Sequence, residues 1–171
     1  MTAPFRLEAL SEAHDRAAFA CGDEALDRYF HTQVTQDIRR HVTNCFVALE
    51  SATGLVTAYY TLAATSIPTP DLPREQTKRL PRYPTIPAAR IGRLAADRRF
   101  RGRGLGAALL ADSARWTLEA PSAAFALVVD ANDRAIAFYQ HHGFIPFVSQ
   151  PRTLFLPLAT AAKVPLKPER K

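Results

Sequence analysis

Gly92-Arg93-Leu94-Ala95-Ala96-Asp97-Arg98-Arg99-Phe100-Arg101-Gly102-Arg103-Gly104-Leu105-Gly106 is the stretch that decides the fold. On its N-terminal side, Ala88 to Ala96 has the pattern of a long strand. On its C-terminal side, Ala107-Ala108-Leu109-Leu110-Ala111 opens a helix that should reach about Glu119, with Pro121 marking its end. Glycines at such a junction let the backbone approach a ligand closely. The free N–H groups of the helix N-terminus then point at that ligand, and the helix dipole favours negative charge. Arg98, Arg99, Arg101 and Arg103 crowd the same turn, which argues against a ligand-free glycine turn and makes a pyrophosphate the natural guest.

Outward from this unit the chain alternates. Phe5-Arg6-Leu7 suggests a short first strand. Asp23 offers an N-cap, and Leu26, Tyr29, Phe30, Val34 and Ile38 recur at helical spacing, predicting one amphipathic helix to about Arg40. Cys45 to Leu49 and Leu55 to Ala64 read as a hairpin around the turn at residues 51–54. A loop punctuated by Pro68, Pro70, Pro73, Pro81, Pro84 and Pro87 follows; its length points to function, and its prolines should keep it semi-rigid and out of the sheet. After the glycine unit come a buried strand from Ala124 to Val129, a short helix from Asn132 to His141 ended by Gly143, and closing strands from Phe144 and over Thr153 to Leu158. The expected architecture is a mixed α/β sheet in one domain over residues 1–160, with residues 161–171 as a loose tail. The strand–loop–helix–strand unit over 88–129 implies a parallel pair.

The 171 residues are 47% hydrophobic and 22% charged, which excludes a disordered or collagen-like chain. No apolar run approaches the length of a membrane span, and the polar first segment is unlike a secretory signal. Cys21 and Cys45 are too few for a disulfide framework, no CxxC pair offers a structural zinc site, and the expectation is a soluble, reduced, cytoplasmic protein without a metal. Of the formal net charge of +6, all the excess base lies between Arg74 and Arg103, where ten basic residues face only Glu75 and Asp97. The partner should be anionic: a phosphorylated cofactor, a nucleic acid, or both.

Three phosphate-binding loops compete for residues 101–107. A Walker A loop needs a Gly-Lys-Ser/Thr ending that is absent here. Gly102-x-Gly104-x-x-Ala107 fits a dinucleotide fingerprint, but the charged residues Asp97 to Arg101 separate it from the strand, and too few βα units follow for a doubly wound sheet. Arg101-Gly102-Arg103-Gly104-Leu105-Gly106 fits the third form, Arg/Gln-x-x-Gly-x-Gly/Ala. With Gly92-Arg93-Leu94-Ala95-Ala96-Asp97 before it and Asn132-x-x-Ala135-x-x-Phe138-Tyr139-x-x-x-Gly143-Phe144 after it, the chain resembles the GNAT N-acetyltransferase superfamily. Phe19-Ala20-Cys21-Gly22-x-x-x-Leu26-Asp27, Ala58-Tyr59-Tyr60-Thr61-Leu62-Ala63 and the proline-rich basic loop are similar to the TacT and AtaT group of GNAT toxins. The likeness covers about residues 5 to 158; Ala96 stands where a valine is common.

The resemblance implies a GNAT fold: a central, mostly antiparallel sheet with a parallel splayed pair and flanking helices. It implies acetyl-CoA as co-substrate, its pantetheine arm along Leu94, Ala95 and Ala96, its pyrophosphate on Arg101, Gly102, Arg103, Gly104, Leu105, Gly106 and Ala107, and a hydrogen bond from Asn132. Tyr139 would be the catalytic acid, since a phenol is protonated at neutral pH and can donate to a departing thiolate. The group is described as acetylating the α-amino group of aminoacyl-tRNA, with a ribbon-helix-helix antitoxin as partner and often as a homodimer. Lys78, Arg79, Arg82, Arg90 and Arg93 would then track RNA phosphates.

No carboxylate occurs between Glu75 and Asp97, so the strand before the glycine loop supplies no general base, although Glu50 or Asp130 could lie nearby in space. An α-amino group, with a pKa of about 7.7–8.0, needs a base less than a lysine at about 10.4. Two other readings stay open on the residues alone: an acetyltransferase for a small amine or a protein N-terminus, and a non-catalytic nucleic-acid-binding module. His141-His142 read as a helix end, and His41 with Cys45 is too small a set for a metal site.

Overall fold

Asp23 caps the first helix, its carboxylate accepting the amides of Ala25 and Leu26. This helix, α1 (Glu24–Thr32), does not run through to Arg40 as its periodicity predicts. The chain departs from helical geometry at Gln33 (φ −123°, ψ −28°) and restarts as α2 (Val34–Arg39). Apolar spacing survives the break because Tyr29, Phe30 and Val34 still enter one core.

The computed structural model describes residues 3–163. Its strands are β1 (Phe5–Ala9), β2 (Asn44–Glu50), β3 (Val56–Pro68), β4 (Thr85–Ala96), β5 (Ala126–Asp130), β6 (Ile145–Pro146) and β7 (Thr153–Pro157). The remaining helices are α3 (Arg74–Thr77), α4 (Leu105–Glu119), α5 (Asp133–His141) and α6 (Leu158–Lys163). The seven strands lie in the order β1-β2-β3-β4-β5-β7-β6. Pairs β1/β2, β2/β3, β5/β7 and β6/β7 are antiparallel, whereas β4/β5 is parallel. The parallel register runs from Ala88↔Ala126 to Ile91↔Val129, and β4 continues without it to Ala96.

The chain falls into two compact units, residues 3–63 with 92–113 and residues 64–91 with 114–163. In the first, Tyr59 stacks on Phe30 at 4.1 Å between ring centroids, with Phe19 edge-on to both. The Tyr59 hydroxyl donates to the Leu26 carbonyl (2.8 Å) and that of Tyr29 to Asp37 (2.7 Å), so these buried phenols are satisfied. In the second unit Ile67, Ile86, Ala88, Ala126, Val128, Phe147 and Phe155 form the core, and Leu72 and Leu80 bring the proline-rich segment onto it.

Two expectations need correcting. The proline segment is not structureless: it contains a 3-10 turn (Thr69–Asp71) and α3, and Pro87 lies inside β4. Proline is tolerated there because its carbonyl alone is used, accepting the Phe125 amide at 2.8 Å. Residues 161–163 of the expected tail lie in α6, and residues 164–171 lie outside the described residues.

Candidate functional site

Asp97 ends β4 and organises the glycine loop. Its amide donates to the Thr57 carbonyl (2.8 Å), and its carboxylate is 1% exposed. Oδ2 accepts the Ala20 amide (3.1 Å) and Arg99 Nη2 (3.0 Å); Oδ1 accepts the Arg99 amide (2.8 Å) and Nε (2.9 Å). Burial works to raise the Asp97 pKa, but the hydrogen bonds from Arg99 and Ala20 outweigh it and hold the carboxyl below its ordinary value. The Arg98 amide in turn donates to the Ala20 carbonyl (2.9 Å), so the segment before α1 is tied to the start of the loop in both directions. In the sequence Asp97 stands as one letter of a motif, and its only signal there is a lone acid beside arginines.

Beyond this anchor the backbone turns at Gly102 and Gly104, each with φ of +77°. An added Cβ at either would meet nothing within 4 Å, so the space over the loop is open and glycine is required by conformation alone. The first backbone bond of α4 is from the Ala108 amide to the Gly104 carbonyl (3.1 Å). Among the described residues, no acceptor faces the consecutive amides from Arg101 to Ala107. Unpaired N–H groups at the start of a fifteen-residue helix, with left-handed glycines between them, offer a donor set suited to an anion. Leu105 is buried and pins the helix start.

Two arginine side chains of the loop are partly engaged by the protein itself. Arg101 Nη2 donates to the Cys21 carbonyl (2.5 Å), and Arg103 turns toward Glu50 (3.8 Å) over the rings of Phe5 and Phe100. These contacts brace the loop, whose backbone amides stay unpaired. In β4, Ala95 is buried in the core of the first unit, while Leu94 and Ala96 are half-buried. Gly92 admits the Thr61 hydroxyl, which accepts the Arg93 amide (3.0 Å) and would lie 3.0 Å from a Cβ.

The second unit carries α5. Asn132 is its N-cap, Oδ1 accepting the Ala135 amide (2.9 Å), which leaves only the side-chain amino group to donate elsewhere. Tyr139 is 7% exposed, its ring edge-on to Phe138 and Phe144. Among the described residues no partner is found for its hydroxyl, which leaves its proton available to donate. Burial pushes its pKa up to about 12, so the proton stays on throughout the neutral range. His142 is shifted down by burial and by His141.

Neither candidate base is free. Glu50 accepts the Thr53 hydroxyl (2.7 Å) and faces Arg103; Asp130 is paired with Arg90 and accepts the Thr153 hydroxyl (2.8 Å). The residues expected to track RNA divide in the same way. Arg90 is spent on Asp130, and Arg93 stacks on the Tyr29 ring at 3.5 Å. Lys78, Arg79 and Arg82 are exposed, with Glu75 beside Lys78 (3.5 Å) as the one carboxylate partner found for these three among the described residues. Among the described residues no group of three His, Cys, Asp or Glu side chains could hold a metal ion, and no helix is long and apolar enough to cross a membrane. The Cys45 thiol is buried and pushed up to about 12 by that burial.

Residues 8–144, from β1 past the end of α5, match the acetyltransferase (GNAT) family. The chain belongs to that family. This acetyltransferase is 32% identical over 157 residues to a probable toxin TacT of Sinorhizobium fredii, covering 86% of its own length and 87% of the relative's. It is also 32% identical over 150 residues to a tRNA-acetylating toxin of Mycobacterium tuberculosis, covering 86% and 88%. Among solved structures it is similar to AtaT complexed with acetyl-methionyl-tRNAfMet (TM-score 0.84, 30% identity, 93% and 98% covered). A second similar structure is an AtaT variant bound to the C-terminus of the antitoxin AtaR and acetyl-CoA (TM-score 0.77, 27% identity, 94% and 98% covered).

Proposed function

We propose that this acetyltransferase moves the acetyl group of acetyl-CoA to the α-amino group of an aminoacyl-tRNA, removing the nucleophile that peptide-bond formation requires. The chain would thus be the toxin of a toxin–antitoxin pair acting in the cytoplasm. The observation that carries the reading is the cradle of unpaired amides from Arg101 to Ala107, in a chain so similar to a tRNA-acetylating toxin. The AtaT structure with acetyl-CoA supports a coenzyme diphosphate as the guest of that cradle. Arg101 and Arg103 act as braces of the loop, and backbone groups of Leu94, Ala95 and Ala96 and the Asn132 amino group complete the proposed cofactor contacts.

The acceptor chemistry follows from what the residues lack. With Glu50 and Asp130 both engaged, deprotonating a lysine near pH 7 has no obvious agent, whereas an α-amino group is partly neutral already. Nucleophilic attack needs the free amine; when the carbon–sulfur bond of the thioester breaks, the thiolate needs a proton. The Tyr139 Oη–H supplies it in this proposal, and the proton that the attacking nitrogen loses on forming the amide returns to the tyrosinate through solvent. An antitoxin partner, of ribbon-helix-helix type, and a homodimer complete the proposal; the AtaT structure with AtaR supports the antitoxin.

Purified enzyme given labelled acetyl-CoA should acetylate charged tRNA and leave uncharged tRNA unlabelled. Equal labelling of free amino acids, polyamines or peptide N-termini would replace this reading with that of a small-amine or N-terminal acetyltransferase.

A further inference from the structure

The proline-rich segment encloses a groove that the chemistry above does not use. The groove has a volume of about 780 Å³ and lies within the second unit, lined by Arg74, Lys78, Arg82 and Tyr83 among threonine, leucine and proline side chains. Its base is fixed. The Thr69 amide donates to the Pro84 carbonyl (3.0 Å) and the Thr69 hydroxyl to the Tyr83 carbonyl (3.0 Å), while Leu72 is buried in the core beneath. Pro81 and Pro84 bracket Arg82-Tyr83, restricting the backbone that presents them.

Two features of this groove have no folding explanation. Tyr83 is 61% exposed, more than any other aromatic side chain among the large exposed hydrophobics described. Arg74 and Arg82 have no carboxylate partner among the described residues, and Lys78 has only the exposed Glu75. An exposed aromatic ring beside exposed cations on a proline-braced segment is the combination with which proteins hold single-stranded nucleic acid: bases stack on the ring and phosphates meet the cations. An acidic peptide would satisfy the cations but would not need the ring.

We infer that Tyr83 stacks on an unpaired base of the RNA substrate, with Arg74, Lys78 and Arg82 gripping the phosphates on either side. This rests on the aminoacyl-tRNA reading and deepens it, assigning single-strand recognition to one residue and extending the phosphate-binding set to Arg74. Tyr83 positions substrate and takes no part in the chemistry.

Two fluorescent RNA hairpins with the same stem, one blunt and one carrying a four-nucleotide 3′ overhang, test the inference by anisotropy with the full-length protein. Wild type should bind the tailed hairpin more tightly. Tyr83→Ala should weaken binding to the tailed hairpin by roughly ten-fold and leave the blunt one unchanged, and Tyr83→Phe should restore most of the loss. Arg74→Gln with Arg82→Gln should weaken both and flatten the salt dependence. Equal affinity of Tyr83→Ala and wild type for the tailed hairpin overturns the inference, and so does an equal loss on both hairpins, which would make Tyr83 a shaper of the loop. Binding of an acidic peptide that displaces neither RNA but depends on the same arginines would also overturn it, assigning the groove to a protein partner. Acetyl transfer to charged tRNA by the wild-type preparation reads the underlying activity separately, so the two ideas fail independently.

Discussion

Replacing Asp97 by asparagine tests how the glycine loop is held. The carboxylate accepts four N–H groups from a site that is 1% exposed. An amide of the same shape keeps one acceptor oxygen. If that oxygen stays on the Arg99 amide and Nε, the new NH₂ group faces the Ala20 amide and Arg99 Nη2, two donors opposed to a donor. Half-exposed Arg99 can swing its guanidinium into water at little cost. The Ala20 amide has no such escape, and leaving such a donor unpaired costs about 1–3 kcal/mol, which is the expected destabilisation. Because the Ala20 segment and the Arg98 amide bind each other across the loop entrance, acetyl-CoA affinity should fall with stability. Urea unfolding gives the first quantity and calorimetric titration with coenzyme A the second. Unchanged unfolding midpoint together with unchanged affinity would refute the anchoring role. The pH dependence has a definite sign. Since the folded-state pKa is depressed, the contribution is present above the ordinary aspartate value and is lost as pH falls through the lower folded value. The variant should therefore lose less stability than wild type on acidification below about pH 4.

Tyr139→Phe should lower turnover by about 100-fold with little change in acetyl-CoA affinity. With the phenol pKa near 12, wild-type turnover should show no tyrosine limb below about pH 10, and an alkaline limb near pH 9 abolished by the substitution would contradict the assignment. Gly104→Ala should cost ~1 kcal/mol in unfolding experiments, from the left-handed backbone alone, since an added Cβ meets no protein atom; its larger effect should be on coenzyme A binding, where the methyl group enters open space. Neutralising Lys78, Arg79 and Arg82 together should weaken tRNA binding and reduce its salt slope. Arg90→Gln should change that slope less, because Arg90 is already paired with Asp130; equal slopes for the two variants would show that this pair opens to RNA.

The glycine loop, its flanking strand and helix, the Asp23 cap position and the parallel pair around residues 88–129 are legible in the chain because each rests on local rules: helical periodicity, N-cap chemistry and the short reach of a strand–loop–helix unit. Gln33 breaks a helix that periodicity runs straight through, and Pro87 enters a strand that composition forbids; in both cases packing and one usable carbonyl outweigh propensity. Residue type announced Arg90, Arg93, Arg101 and Arg103 as cations for an anionic guest. Their actual neighbours, Asp130, Tyr29, the Cys21 carbonyl and Glu50, lie far away in sequence and were supplied only by folding. Charge is a property of a residue, whereas its availability depends on what the fold sets against it. For that reason the sequence by itself could determine that cations and glycines gather around Gly102 and Gly104, and only the tertiary structure could decide that the backbone amides there are left unpaired while Arg101 and Arg103 are turned toward Cys21 and Glu50.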